Sequence, residues 1–391
     1  MRILMLVATS VATDTRVLRE AQTLVDAGHD VHIIGKDVPL DFVAPQGISV
    51  SSAGASSVFR PAGTPSAAGR RLSAPQRAAR WALLPQHRNQ AFRSWAAAAG
   101  DDARGRQFDV VHAHDFTALE VGAALATERQ VPYVYDTHEL WLGRQRQYRP
   151  TPLQDRREAA TEARLGGAAA AVITVGDGVA AALRVRYGWT HVTVVRNSFP
   201  ARDDDGSVLP ETPSGAVYAG RVDAHRELET VLGAAPLVDL PFTLVGPSDD
   251  VWVGRNAEAI AATGTELLAA LPVEEVTALL RRQGLALVTH SDRFESHLLA
   301  LPNKLFHAVH AGVPVIATDV PELAAIVRRH DLGETYRPGD PRGLAAAVGR
   351  ALDRYPGLVA SVAAAAEELS WPADAAALRG VYDRIQAGSA R

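Results

Sequence analysis

The sequence predicts an α/β protein made of two Rossmann-like, doubly wound domains facing a cleft. Short, nearly continuous apolar runs recur along the 391 residues, each followed by a helical pattern, as parallel strands covered by helices on both faces require. The alternation happens twice, on either side of Asn197–Ser214, a linker-like stretch rich in Pro, Asp, Gly and Ser. The length also exceeds what one hydrophobic core usually supports.

In the first half the expected strands are Ile3–Ala8, Asp30–Gly35, Ile48–Ser51, Asp109–Ala113, Tyr133–Asp136, Ala171–Val175 and Val192–Val195. In the second half they are Ala216–Ala219, Phe242–Val245, Glu266–Leu268, Leu285–Thr289, Pro314–Thr318 and Glu334–Tyr336. This places the domain boundary at 197/198. Ligands of such sheets sit beyond the carboxyl ends of the strands, so the expected site is the cleft between the two domains. Between Arg60 and Arg106 nine arginines interleave with Trp81, Leu83, Leu84, Phe92 and Trp95. That stretch reads as a helix packing its aromatics on the sheet, or as a surface for a membrane or an anionic partner.

Composition narrows the function. A net charge of −4 argues against nucleic-acid binding. The absence of cysteine removes thiol nucleophiles, disulfides, zinc-thiolate sites and iron–sulfur clusters. No apolar run approaches the ~18 residues of a membrane span, and the short apolar N-terminus leads to Asp14 and Arg16 rather than to a cleavage site. A cytoplasmic protein is expected, with peripheral membrane contact left open. Of the 40 basic residues only Lys36 and Lys304 are lysines, which draws attention to both, because lysine and arginine are not interchangeable.

The loop after the first strand carries Thr9, Ser10 and Arg16, placed to touch a ligand, and Asp14 suits an N-cap. No G-x-G-x-x-G is present, which weakens a nicotinamide or flavin reading; no cofactor is expected. Two strand ends bear histidines, His112 to Asp115 and Asp136 to Glu139. His112 and His114 share a face as a metal pair would, but no metal-ligand spacing supports this, and no metal is expected. His114, His138 and Glu139 suit hydrogen bonding to sugar hydroxyls. In the second half, Gly220 allows close backbone approach, while Arg221 and Arg226 can clamp a diphosphate. Gly246 follows another strand in the same way. In Leu301–Asp319, Pro302 suits a helix start and Gly312 its end. Asn303, His307 and His310 form a polar arc beside the apolar arc of Leu305, Phe306 and Val309. The free N–H groups of that helix start, with Lys304, make an anion site for which a diphosphate is the obvious guest.

These segments have a family likeness. DTRVLREA (14–21), FDVVHAHD (108–115), YDTHE (135–139), AAAVITVGDG (169–178), VVRN (194–197), YAGRVD (218–223), LPNKLF (301–306), AGVPVIATDVPEL (311–323) and RPGDP (337–341) occur in this order. With them the chain resembles the retaining glycosyltransferases of family 4, which have the two-domain glycosyltransferase B fold. The resemblance implies a metal-independent sugar transferase of bacterial natural-product or cell-envelope glycan biosynthesis. A UDP- or GDP-linked nucleotide-sugar donor would be held by the second domain (198–371), with Gly220, Gly246, Pro302, Asn303, Lys304, Leu305 and His307 as donor-binding residues. An acceptor, a small molecule or a glycan, would be held by the first domain (1–197), with Thr9, Ser10, Arg16, His138 and Glu139. His114, Arg221 and Arg226 take the catalytic positions, and 372–391 matches a helix that crosses back to the first domain.

One departure stands out. The family's paired glutamates fall on Leu299 and His307, and the second glutamate normally holds the ribose. Expected instead is a neutral His307 facing the cleft and accepting one ribose hydroxyl. A catalytically degenerate nucleotide-sugar-binding partner and a sugar-nucleotide epimerase remain as alternatives.

Overall fold

The computed structural model describes residues 1–53, 93–146, 151–201 and 209–389. Most of the arginine-rich stretch (60–92) and residues 202–208 of the linker lie outside the described residues. Trp95 is described, and it is buried with its indole N–H donating to Gly35 O at 3.3 Å.

The first half runs β1 (Arg2–Leu6), α1 (Thr15–Asp26), β2 (Asp30–Lys36), β3 (Ile48–Ala53), helical residues 93–104 (α2), β4 (Val110–His114) and α3 (Asp115–Arg129). It continues with β5 (Tyr133–Thr137), α4 (Pro152–Ala168), β6 (Ala171–Thr174), α5 (Asp177–Tyr187) and β7 (Val192–Val194). These strands form one parallel sheet of order β3-β2-β1-β4-β5-β6-β7.

The second half runs β8 (Gly215–Ala219), α6 (Leu228–Ala234), β9 (Phe242–Val245), α7 (Asp250–Thr263), β10 (Glu266–Leu268), α8 (Val273–Gln283), β11 (Gly284–Val288) and α9 (Glu295–Leu298). Then come α10 (Asn303–Ala311), β12 (Val315–Thr318), α11 (Pro321–Arg329), β13 (Gly333–Tyr336), α12 (Pro341–Asp353), α13 (Tyr355–Ala365) and α14 (Trp371–Ser389). Its sheet is also parallel, in the order β10-β9-β8-β11-β12-β13. Every strand expected from the apolar runs is present, with ends shifted by at most two residues.

Local chemistry explains the elements that build the site. The Asp14 carboxylate accepts from Val17 N at 3.2 Å and starts α1, satisfying one of the orphan donors of the first turn. The inward face of α1 then buries Val17, Ala21 and Leu24, but also Arg16 and Glu20. Two charged side chains on a core-facing stripe need partners, and those partners form the floor of the site. The last helix, α14, returns to the first sheet, burying Leu378, Val381, Tyr382 and Ile385 in one core with Ile3, Met5 and Val31. Each such side chain contributes roughly 1.5–3 kcal/mol by leaving water.

Candidate active site

The carboxyl ends of both sheets border one cleft with about 540 Å³ of open space. Asp14, Arg16, His138 and Glu139 line it from the first half, and Ser296, Leu301 and Asn303 from the second. The halves touch across it. Ser296 Oγ donates to Leu140 O at 2.9 Å, and Arg186 pairs with Glu295 at 2.9 Å.

Below the first-half surface lies a buried charge network. Arg16 reaches Glu20 at 2.9 Å and Asp136 at 3.0 Å, and donates to Val195 O at 2.7 Å. Burial opposes the Arg16 charge, yet Asp136 and Glu20 outweigh it and raise its pKa. Burial would raise the Asp136 carboxyl as well; Arg16 and His138 instead hold it well below the usual carboxylate range. Glu20 goes the other way, pushed well up by burial. His112 hands its Nδ1 to the Tyr382 hydroxyl at 2.8 Å, tying α14 into the network. His138 lies between Asp115 (3.3 Å) and Asp136 (3.4 Å). Burial disfavours its charge, but the two carboxylates raise it to about 9, so it is an imidazolium at neutral pH. Burial, with Asp115 beside it, pushes the Glu139 carboxyl up to about 7. Asp115 is itself a non-glycine residue at φ 61°, strain of the kind held at functional sites.

The second-half wall is basic. Lys304, in the first turn of α10, lies 4.9 Å from the centre of the Tyr218 ring. Burial and the nearby Arg226 lower its pKa to about 7. Arg226 and Arg221 both lean on Asp223, at 3.2 and 3.8 Å. Gly220 lies against the lysine, so closely that a Cβ there would come within 3.0 Å of Lys304 Cε. The site stands where the strand order reverses, between β8 and β11, the position at which open α/β sheets take their ligands.

Two family profiles match the chain nearly end to end: Glycosyltransferase Family 4 over residues 13–201, and Glycosyl transferases group 1 over residues 213–354. The chain belongs to glycosyltransferase family 4. It is 28% identical to a glycogen synthase of Mycobacterium tuberculosis over 257 residues, 63% of this chain and 60% of that relative. Among solved structures it is similar to sucrose-phosphate synthase from Thermosynechococcus elongatus (TM-score 0.75, 16% identity, covering 99% of this chain and 100% of that one). It is also similar to HepE from Anabaena in complex with UDP-glucose (TM-score 0.64, 14% identity, 99% and 100% covered). These likenesses show the glycosyltransferase B fold.

Within this family frame several expected site residues sit differently. Arg16 is 2% exposed with its guanidinium held by Asp136, Glu20 and Val195, so it is a structural cation rather than one free to grip an acceptor. His114 is fully enclosed, its Nδ1 3.4 Å from Asp136, and His138 stands above it at the cleft. Leu305 packs in the core, and its N–H is already bonded to Pro302 O at 2.9 Å, so it offers a donor nothing. Gly246 is required for another reason than ligand approach: a Cβ there would strike Gly220 O at 2.1 Å.

His307 does not stand among the cleft-lining residues. It is 7% exposed and stacks on Phe199 at 4.4 Å. Thr277 Oγ1 gives its own proton to Val273 O, so His307 Nε2, at 2.8 Å, is the donor to that hydroxyl. This fixes the Nε2–H tautomer and leaves Nδ1 as an acceptor. Burial and His310 lower its pKa to about 4, keeping the ring neutral.

Pro302 precedes the first residue of α10, and Asn303 and Lys304 open it beside the cleft. Thr9 is exposed and Ser10 half-buried at the end of β1, with the Thr9 hydroxyl 3.4 Å from Asp14. His112 and His114 stack at 4.3 Å with 11° between their planes, and together with Glu20 and Asp136 they bring buried ligand atoms within 4.8 Å of one another. His225, His290 and His297, which no motif marks, gather around Arg226 and Lys304.

Proposed function

We propose that this chain transfers a sugar from a nucleotide-sugar donor to an acceptor hydroxyl or another nucleophile, with retention of anomeric configuration and without a metal. The observation that carries the reading is the basic switch-point wall, in which Lys304, Arg226 and Arg221 share the single carboxylate of Asp223. Such an arrangement is short of negative charge, which a diphosphate supplies. HepE from Anabaena has been solved with UDP-glucose, which supports a nucleotide-sugar ligand for the same fold. UDP or GDP is therefore the expected carrier.

In this reading Gly220 lets the diphosphate approach the backbone, the N-terminus of α10 with Asn303 and Lys304 receives it, and Arg226 and Arg221 neutralise the charge that develops as the sugar departs. His138, Glu139, Thr9 and Ser10 hold the acceptor, and His114 is a positioning residue beneath His138. Thermal shifts with UDP, GDP, ADP and dTDP test the donor half of the reading. Stabilisation by one of them, lost in Lys304→Met, is expected; indifference to all four overturns it.

A further inference from the structure

A second group of side chains borders the same wall and has no part in the scheme above. His290 lies two residues beyond β11, at the switch point, and its backbone N–H is fastened to Thr318 Oγ1 at 2.9 Å. Thr289 beside it donates to Arg226 O at 2.6 Å, joining this strand end to the loop that carries the arginine. His290 is 6% exposed, and its Nδ1 is buried without a hydrogen-bond partner. The His297 ring, from α9, stands 4.4 Å away and is anchored through Nδ1 to Ser291 Oγ at 2.7 Å. Phe294 packs edge-on to both His297 (4.9 Å) and His225 (5.8 Å). A buried polar atom without a partner costs free energy, and a ligand that bonds His290 Nδ1 would recover it.

The charges acting on His290 come from His297, Lys304 and Arg226; among the described residues none of them is a carboxylate. Burial and these basic neighbours lower His290 to about 2, and burial with Arg226 and His225 lowers His297 to about 4. Among the described residues, the acid acting on Lys304 is Asp223. These basic groups thus outnumber the carboxylates that face them among the described residues. A bound diphosphate reverses the balance, because an anion beside an imidazole favours its charged form.

We propose that His290 is a further catalytic residue, an imidazole that takes up a proton when the donor's diphosphate binds and delivers it to the departing phosphate oxygen. The C1–O bond to the diphosphate breaks, and its electron pair stays on the oxygen, which receives the His290 proton. The acceptor oxygen bonds to C1 and gives its proton to water. His290 is recharged from solvent when the next donor binds. His297, held by Ser291, is the positioning residue that keeps His290 in place. This rests on the nucleotide-sugar reading and deepens it.

The test is calorimetric titration at pH 6 in two buffers of different ionisation enthalpy, using whichever of UDP-glucose, GDP-mannose, ADP-glucose and dTDP-glucose binds. At pH 6 Lys304 is already charged and these donors have no phosphate proton to lose, so proton uptake reports the histidines. The wild-type protein should take up about one proton per donor bound. His290→Gln should bind within about tenfold of wild type with little uptake, and its kcat should fall about 100-fold, at the lower end of general-acid effects, while the donor KM changes less than threefold. The wild-type count needs no variant, and His297→Gln, nearer the surface, should show a smaller loss of kcat. Donor binding without proton uptake, uptake unchanged in His290→Gln, or that variant turning over at the wild-type rate overturns the role of His290 and leaves the transferase reading standing. Failure of all four donors to bind overturns both.

Discussion

Lys304 should make donor binding depend on pH in a direction set by its surroundings. In the free protein, burial and Arg226 hold its pKa near about 7. A diphosphate against the ammonium should restore it toward the ordinary ~10.4. A group whose pKa is lower free than bound takes up a proton on binding, so affinity is full below about 7 and is lost as pH rises. The ratio of protonated fractions makes Lys304 alone responsible for a roughly 50-fold weakening between pH 7 and pH 9, or about 2.3 kcal/mol. A fluorescence or calorimetric titration with a nucleotide sugar, whose diphosphate does not titrate between pH 7 and 9, reads the slope. Lys304→Arg keeps its charge throughout and should lose that part of the slope. Lys304→Met should bind at least about tenfold more weakly at pH 7, the loss of one charge-assisted contact. Affinity that is level from pH 7 to 9 in the wild type, or an arginine variant with the wild-type drop, would refute the reasoning.

Other outcomes follow from the cleft floor. His138, raised to about 9 by Asp115 and Asp136, contributes stability that is fully present below the unfolded value near 6.5 and is lost as pH rises through about 9. Its full worth is on the order of 3 kcal/mol, and denaturant midpoints for His138→Gln should lack that decline. Arg16→Met removes one of the two cations that hold the buried Asp136, and urea titration should show a loss on the order of 3 kcal/mol. His307→Glu would bury a carboxylate between Phe199 and Thr277, so urea titration should show a lower midpoint than wild type, and an unchanged midpoint would contradict that placement. Turnover should survive EDTA, and abolition by the chelator would reveal a required metal.

The strands were legible because the apolar runs of a doubly wound sheet are local signals. The cap at Asp14 and the left-handed Gly312 that ends α10 were legible for the same reason. Arg16 was not. It stands near a helix start, where it reads as a ligand contact, and only the approach of Asp136, 120 positions on, turns it into a buried ion pair. In the sequence Gly246 suggests freedom to meet a ligand, but the atom it makes room for is Gly220 O, in another loop. His307 was placed on the polar arc of its helix, and Thr277 and Phe199, from elements far along the chain, cover it. His290 gave no signal at all, since a single histidine after an apolar run matters only once β11 is known to lie at the switch point.

The most direct test of the central claim is a turnover experiment with a panel of nucleotide sugars and polyol acceptors, following nucleoside diphosphate release by chromatography and the product's anomeric carbon by NMR. Release should require both partners, and the glycoside formed should keep the donor's anomeric configuration. A changed sugar still attached to its nucleotide would contradict the claim in favour of an epimerase. Saturable binding without any release would contradict it in favour of a nucleotide-sugar-binding partner.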